Sequence, residues 1–358
     1  MKKKLGLLLL TFSVLVACQK EETDKSDAYA ENGSAFVVNE GGFTKNNGSI
    51  SYISPTNEVS NNIFESSNNG QVLGDIVQSF TKVGNLGIIC VNNSQKVSIV
   101  DVRTFKHLAE VTTGTDYPRF ALGINNNKAY ITNGSFTGTV LVLNLNTFNI
   151  DKTISVGNGP EEMIASNGKV LVANSGGFGT ANTISVINTS TDAVSNTITV
   201  GDNPTEFVRD AQGYIWVLCK GYVTYPAPTY TPDRQSAAKL VRINPALESV
   251  DREIELLPVT ADFSSVDNLA ATGDGSTLYV CVDNHVYSIN YTATTLPATP
   301  IINSYFYGLE VHPYTDNIWA LDAGNFNEAG KIIRYNSNAT AIDTLKVGII
   351  PNSVYFNM

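Results

Sequence analysis

The chain is poor in the residues that usually carry catalysis or metal binding. Its 358 residues include three histidines and four cysteines. His107, His285 and His312 are scattered, with no acidic or histidine partner at ligand spacing. Cys90, Cys219 and Cys281 sit in apolar runs such as Gly87-Ile-Ile-Cys90-Val, with no short Cys/His spacing of the kind zinc requires. With Cys18 set apart near the N-terminus, three remain, and an odd number inside strands predicts buried free thiols acting as small hydrophobes. There is no Gly-x-Ser-x-Gly elbow, no His-Glu-x-x-His and no P-loop. Gly176-Gly-Phe-Gly179 is a lone glycine cluster in a turn, and Glu161-Glu162 is no sign of a hydrolase without matching geometry. No cofactor, no metal and no catalytic residue is expected.

Positive charge is also scarce. The whole chain has 23 basic residues against 33 acidic ones. Three of the basic residues, Lys2, Lys3 and Lys4, lie in the first turn of an N-terminal leader. A chain this acidic is not expected to bind nucleic acid, and an anionic ligand would need a local basic patch. Long apolar runs are missing too. The only extended one, Leu5 to Ala17, is too short for a permanent membrane span and has the form of a signal peptide. It ends Leu15-Val-Ala-Cys18, the form of a bacterial lipobox, so Cys18 is expected to become a lipidated N-terminus; ordinary cleavage with Cys18 incidental is the alternative. Residues 1–17 are thus a leader, 18–33 a polar tether and 34–358 one folded domain.

What is present is a repeat. From Gly157 to Gly201 the sequence holds four short β-branched runs separated by Gly and Asn, then returns to its own start at Gly201-Asp-Asn-Pro204. Pro118 to Pro160 is 42 residues and Pro160 to Pro204 is 44, the period of a four-stranded propeller blade. Seven hairpins recur: 36–39 with 49–54, 87–92 with 97–101, 128–133 with 139–144, 169–174 with 183–188, 214–219 with 239–244, 277–283 with 286–290 and 317–322 with 331–336. The expected fold is an all-β, seven-bladed propeller, against which a β-helix or long sandwich fits poorly. The chain opens on a second-strand pattern at Phe36 and closes on a first-strand pattern, Asn352-Ser-Val-Tyr-Phe356. The C-terminal strand should therefore complete the N-terminal blade and leave no open edge.

In such a meander, the Gly-x-x-Pro turns and the second-to-third-strand loops share one face. That face should carry aromatic loop tips at Phe43, Phe136, Phe178 and Phe326, with Asn and Gly supplying the turns. The fifth blade adds a long loop, Lys220 to Ala238, with Tyr222, Tyr225, Tyr230 and Arg234. Tyr117-Pro-Arg119 lies on the same face, and Lys239 follows the loop. Tyr and Arg together suit a flat aromatic anion, so Tyr117, Arg119, Lys220, Tyr222, Tyr225, Tyr230, Arg234 and the phenylalanine tips are the candidate ligand-binding residues.

The repeat Lys169-Val-Leu-Val-Ala-Asn with Ile184-Ser-Val-Ile-Asn resembles the bacterial YncE-like seven-bladed propellers. The Asn39-Glu-Gly-Gly-Phe43 opening behind a lipobox, with Lys20-Glu21-Glu22 after Cys18, resembles Bacteroidetes surface lipoproteins encoded beside TonB-dependent transporters. That resemblance implies a lipid-anchored protein on the outer membrane, facing outward. It further implies capture of a ferric siderophore such as enterobactin, or of cobalamin, for hand-over to the transporter. A structural or adhesive propeller and a lactonase-type enzyme are the other readings. The resemblance transfers no ligand-binding residue.

Overall fold

A computed structural model describes residues 27–134, 137–260 and 265–358. Seven antiparallel sheets form the blades of a closed propeller, with one short helix, Ile63–Ser67, as the only α-helix among these residues. Each blade runs from an innermost strand at the axis to an outer one. In blade four these are Pro160–Ser166, Lys169–Asn174, Thr183–Asn188 and Ala193–Thr199, within a few residues of the strands expected from sequence. The innermost strands of blades two, three, five, six and seven are Val77–Val83, Pro118–Asn125, Pro204–Arg209, Val266–Ala271 and Gly308–Val311. Blade six is the departure. It has three strands, and the place of the fourth is taken by a segment touching Val286 through a single bridge at Ile302. Pro297 and Pro300 in that segment remove two donors that a full ladder would need.

The ring closes as the sequence implies. Pro351–Asn357 is the innermost strand of blade one and pairs antiparallel with Ser34–Asn39, Ser34 opposite Asn357 and Phe36 opposite Tyr355. Side chains tighten this seam: Asn357 donates to the Glu31 carbonyl at 2.9 Å and to Ser34 Oγ at 3.2 Å.

The core is divided among the seven interfaces between blades. Successive strand residues point to opposite faces. In the second strand of blade five, Ile215, Val217 and Cys219 pack on blade four, while Trp216 and Leu218 pack on blade six. Every blade is thus apolar on both faces, which explains strands that read as continuous β-branched runs rather than alternating ones. Cys90, Cys219 and Cys281 are buried and unbridged. Burial lifts each thiol to about 12.

Two local features differ from simple turn chemistry. Asn39, Asn133 and Asn174 were expected to serve turns, yet they end the second strands of their blades and are buried there. Their amides bridge to the third strand: Asn39 to Ser51 Oγ at 2.9 Å, Asn133 to Thr139 Oγ1 at 3.2 Å and Asn174 to Ser185 Oγ at 3.0 Å. Tying strand ends inside the fold is a task that turn propensity does not reveal. Secondly, a left-handed residue precedes the innermost strand in five blades: Ile76, Tyr117, Gly159, Asn203 and Ile350. At Gly159 the turn also requires glycine for space, since a Cβ there would lie 1.9 Å from the Gly177 nitrogen.

Candidate ligand site on the propeller axis

The innermost strands carry a bulge within their first residues in blades two to six, between Val77 and Ser79, Pro118 and Ala121, Pro160 and Met163, Pro204 and Phe207, and Asp267 and Leu269. A bulge adds an unpaired residue and re-aims the side chains around it. Here the affected positions, among them Gln78, Arg119, Glu162, Glu206 and Asp267, line a cavity of about 610 Å³ on the axis. Glu310 and Asn352 come in from blades seven and one, and Glu40, Lys220, Tyr305 and Tyr307 from the loops around its mouth. The cavity runs inward along blade five as far as Arg209 and along blade six as far as Thr272.

The same positions clasp each blade to the next around the whole ring. Asn352 donates to the Gln78 carbonyl at 3.1 Å, and Ser79 to the Arg119 carbonyl at 2.6 Å. Arg119 Nε meets Glu161 Oε2 at 2.6 Å. The Phe207 N–H donates to Glu162 Oε2 at 3.0 Å, and the Leu269 N–H to Glu206 Oε2 at 2.6 Å. Asn268 donates to the Phe306 carbonyl at 3.1 Å, and Glu310 accepts from the backbone of Val354. Of these clasping carboxylates, Glu162, Glu206 and Glu310 also line the cavity, whereas Glu161 spends its second oxygen on Ser175 Oγ at 3.1 Å.

Electrostatics follow from this depth. Burial raises the carboxyl of Glu310 to about 8, with Glu206 adding repulsion and the Val354 N–H opposing it. Burial pushes Glu162 well above the usual carboxylate range, reinforced by Glu206, Glu310 and Glu161. Glu206 is raised by burial, with Lys220 pulling the other way. Burial likewise raises Glu40, which accepts a hydrogen bond from the Tyr307 hydroxyl. Lys220 is the counter-case: burial works against its ammonium, but Glu206 and Asp267 hold its pKa above the ordinary lysine value.

The residues singled out from sequence are dispersed across this face. Arg119 and Lys220 reach the cavity, and both are already paired, Lys220 with Asp267 at 2.7 Å and with Glu206 at 3.8 Å. Phe326 packs edge-on against Tyr307 at 5.5 Å and so touches the cavity wall indirectly. Phe43, Phe178, Tyr225 and Tyr230 are exposed loop residues that do not line the cavity. Tyr117 and Tyr222 are half-buried and do not line it either. Arg234 is buried; it lies in the short ribbon Val223–Thr224 with Asp233–Arg234, and its guanidinium donates to the Lys220 carbonyl at 3.1 Å. It therefore organises the blade-five loop rather than presenting a charge to solvent. Lys239 pairs with Glu253 at 2.7 Å. Phe136 and Cys18 lie outside the described residues.

Sequence reasoning passed over Glu40, Glu162, Glu206, Asp267, Glu310, Tyr305 and Tyr307. A signal existed for two of them. Pro160-Glu-Glu162 and Pro204-Thr-Glu206 place a glutamate two residues after the repeat proline. Among the described residues no group of three or more His, Cys, Asp or Glu is arranged to hold a metal ion, and no helix is long and apolar enough to cross a membrane.

Solved structures share the architecture, the following two among them. Hydrazine synthase of Kuenenia stuttgartiensis aligns with a TM-score of 0.63 at 16% identity, over 81% of this chain and 90% of its own. A quinonprotein alcohol dehydrogenase-like protein of Bacteroides thetaiotaomicron aligns with a TM-score of 0.66 at 13% identity, over 93% of this chain and 79% of its own. Likeness at that identity establishes the propeller fold alone. No curated protein matches the sequence. A family profile does, over residues 33–356, and the chain accordingly belongs to the family described as Domain of unknown function (DUF5074).

Proposed function

We propose that the protein is a lipid-anchored binding protein of the outer membrane that captures a small molecule in its axial cavity and passes it to a TonB-dependent transporter. The observation that carries the binding reading is the cavity itself. Its volume lies within the usual range for small-molecule sites, and polar side chains converge on it from several blades. The anchoring reading rests on the leader and the Leu15-Val-Ala-Cys18 box.

A ferric catecholate siderophore is supported by Arg119 and Lys220 at the cavity and by the exposed aromatic tips around that face. It is opposed by charge. Glu40, Glu162, Glu206, Asp267 and Glu310 line the wall with Arg119, Arg209 and Lys220, and the first and last of these cations face carboxylates of their own. A multiply charged anion would have to break those pairs or sit against the acids. Cobalamin, which carries no such negative charge, meets neither difficulty and is the better supported of the two.

Titration calorimetry with ferric enterobactin and with cobalamin tests the capture reading. Binding of cobalamin that is lost when the cavity is filled by Thr205→Trp supports it. A protein that binds neither compound, with deletion of the gene leaving uptake of both unchanged, would remove it in favour of a structural role. Cys18→Ala should release the protein from the membrane fraction. Replacing Lys20, Glu21 and Glu22 by Ala should leave it anchored but shielded from external protease, and unchanged protease sensitivity would sink the outward-facing placement.

A further inference from the structure

We infer that the axial cavity takes a ligand bearing a protonated amine, seated between the carboxylates that blades four, five and seven turn toward the axis. This rests on the capture reading and takes it to a ligand class that neither ferric enterobactin nor cobalamin represents. Three observations converge. The cavity is large enough for a small molecule, about 610 Å³, and is not filled by the side chains that bound it. Its wall mixes carboxylates with apolar surface from Ile164, Phe207, Val208 and Leu269, the pattern that suits an ammonium on a carbon frame rather than a bare ion. Finally, Glu162 Oε2 is held by the Phe207 N–H, and among the described residues no donor reaches Oε1.

The titratable groups that share the cavity with Glu310 define the chemistry further. They are Glu206 and Arg209 from blade five, Glu162 from blade four, Asp267 from blade six, Arg119 from blade three with Glu161 as its partner, and Lys220, Glu40, Tyr305 and Tyr307 around the mouth. Arg119 and Lys220 are committed to Glu161 and to Asp267 with Glu206, so neither compensates Glu310 or Glu162. Glu310, lifted to about 8 by burial and by Glu206, is largely protonated at neutral pH, and Glu162 is pushed in the same direction by burial and by repulsion from Glu206, Glu310 and Glu161. An arriving ammonium supplies the missing positive charge, and a proton leaves as it binds. For a site near 8, a ligand requiring the ionised form binds about 50-fold more tightly at pH 8 than at pH 6. The amine itself, with a pKa near ~10, stays charged throughout.

The test uses three probes of one length: hexane-1,6-diamine, hexane-1,6-diol and adipate. Calorimetry on the full propeller at pH 6, 7 and 8, in buffers of different ionisation heat, reads affinity and proton release together. The diamine should bind at least ten-fold more tightly than the diol, adipate should not bind, and diamine binding should release protons. Glu310→Gln keeps the acceptor for the Val354 N–H and so preserves the clasp. It should weaken diamine binding about ten-fold at pH 8 and flatten its pH dependence. Glu162→Gln gives a second, independent readout of the same kind. Diol or adipate binding as well as the diamine overturns the amine assignment while leaving small-molecule capture standing. Diamine binding indifferent to pH and to both variants overturns it equally. Failure of all three probes, of ferric enterobactin and of cobalamin overturns capture and the amine assignment together.

Discussion

Glu310→Gln makes a prediction about stability that needs no ligand. In the folded protein burial lifts this carboxyl from an ordinary 4.5 to about 8, with Glu206 as the second cause. The folded state therefore binds the proton more tightly than the unfolded chain. The stabilisation this provides is complete below about pH 4.5, shrinks as the pH rises and is exhausted above about pH 8. A shift of that size corresponds to about 5 kcal/mol at ~1.36 kcal/mol per unit, and a carboxyl partly open to a wet cavity should realise about 2–4 kcal/mol of it. Glutamine keeps the acceptor for Val354 and cannot ionise. Urea unfolding of parent and variant at pH 5, 6, 7 and 8 measures the effect, provided the denaturant slope is unchanged. The variant should match or trail the parent at pH 5 and exceed it by about 2–4 kcal/mol at pH 8. Glu162 and Glu206 are raised in the same direction, so the variant should still lose some stability across the range. Glu328→Gln, at an exposed loop position, should reproduce the parent curve. Parallel curves for Glu310→Gln and parent would show that Glu310 is ionised and well solvated in the fold, and the account of an under-compensated acidic cavity would fail.

Other parts of the structure make independent predictions. Deleting residues 352–358 removes nearly all of the innermost strand of blade one and its pairing from Ser34 to Val38. The loss of about five ladder positions, from Ser34 to Val38, at ~1 kcal/mol each consumes much of a typical margin of 5–15 kcal/mol, and a truncated protein with an unchanged melting temperature would refute the closure argument. Asp210 accepts from Arg242 Nε at 2.8 Å and from Trp216 Nε1 at 3.0 Å in a buried network, so Asp210→Ala should cost about 3–5 kcal/mol. Adding Arg242→Met should recover part of that in denaturant titrations, because it removes a buried guanidinium left with Asp251, at 3.0 Å, as its carboxylate partner; no recovery would place the cost elsewhere. The thiols of Cys90, Cys219 and Cys281, lifted to about 12 by burial, should resist a thiol reagent at pH 8 in the folded protein and react on unfolding, which a timed colorimetric assay distinguishes.

The fold was legible because a propeller writes its architecture as a period. The spacing of Pro118, Pro160 and Pro204 locates the innermost strands, and short β-branched runs between glycine and asparagine locate the remainder. Closure was legible for a related reason: a first strand without successors and a second strand without a predecessor have only each other to pair with. The missing fourth strand of blade six was visible in principle, in Pro297 and Pro300, but a count of hairpins does not register an absent outer strand. The role of Asn39, Asn133 and Asn174 was not legible, because asparagine favours turns for local reasons and the partner serines and threonines lie on a neighbouring strand.

The site was harder to read, and the reason is physical. Reasoning from sequence placed function on exposed loops, where long insertions and aromatic tips stand out against a repetitive scaffold. The tips of Phe43, Phe178, Tyr225 and Tyr230 are indeed exposed, but they do not line the cavity. Its lining comes from the first residues of the innermost strands, where a bulge repeated from blade to blade turns side chains toward the axis. A residue at that register has two tasks available, to clasp the next blade or to face a ligand. Gln78, Arg119, Glu162, Glu206, Asp267 and Asn352 occupy comparable places with different chemistry. If clasping were the only demand, a neutral glutamine oxygen would accept the same backbone N–H without the cost of burying charge, just as Asn352 and Asn268 clasp their neighbours by donating uncharged amides to backbone carbonyls. Glu162, Glu206 and Glu310 accept the clasping N–H with a group that burial drives toward protonation and that repels its neighbours. Structural need therefore accounts for an acceptor at these positions and leaves their acidity unexplained, and it is the acidity that points to the ligand.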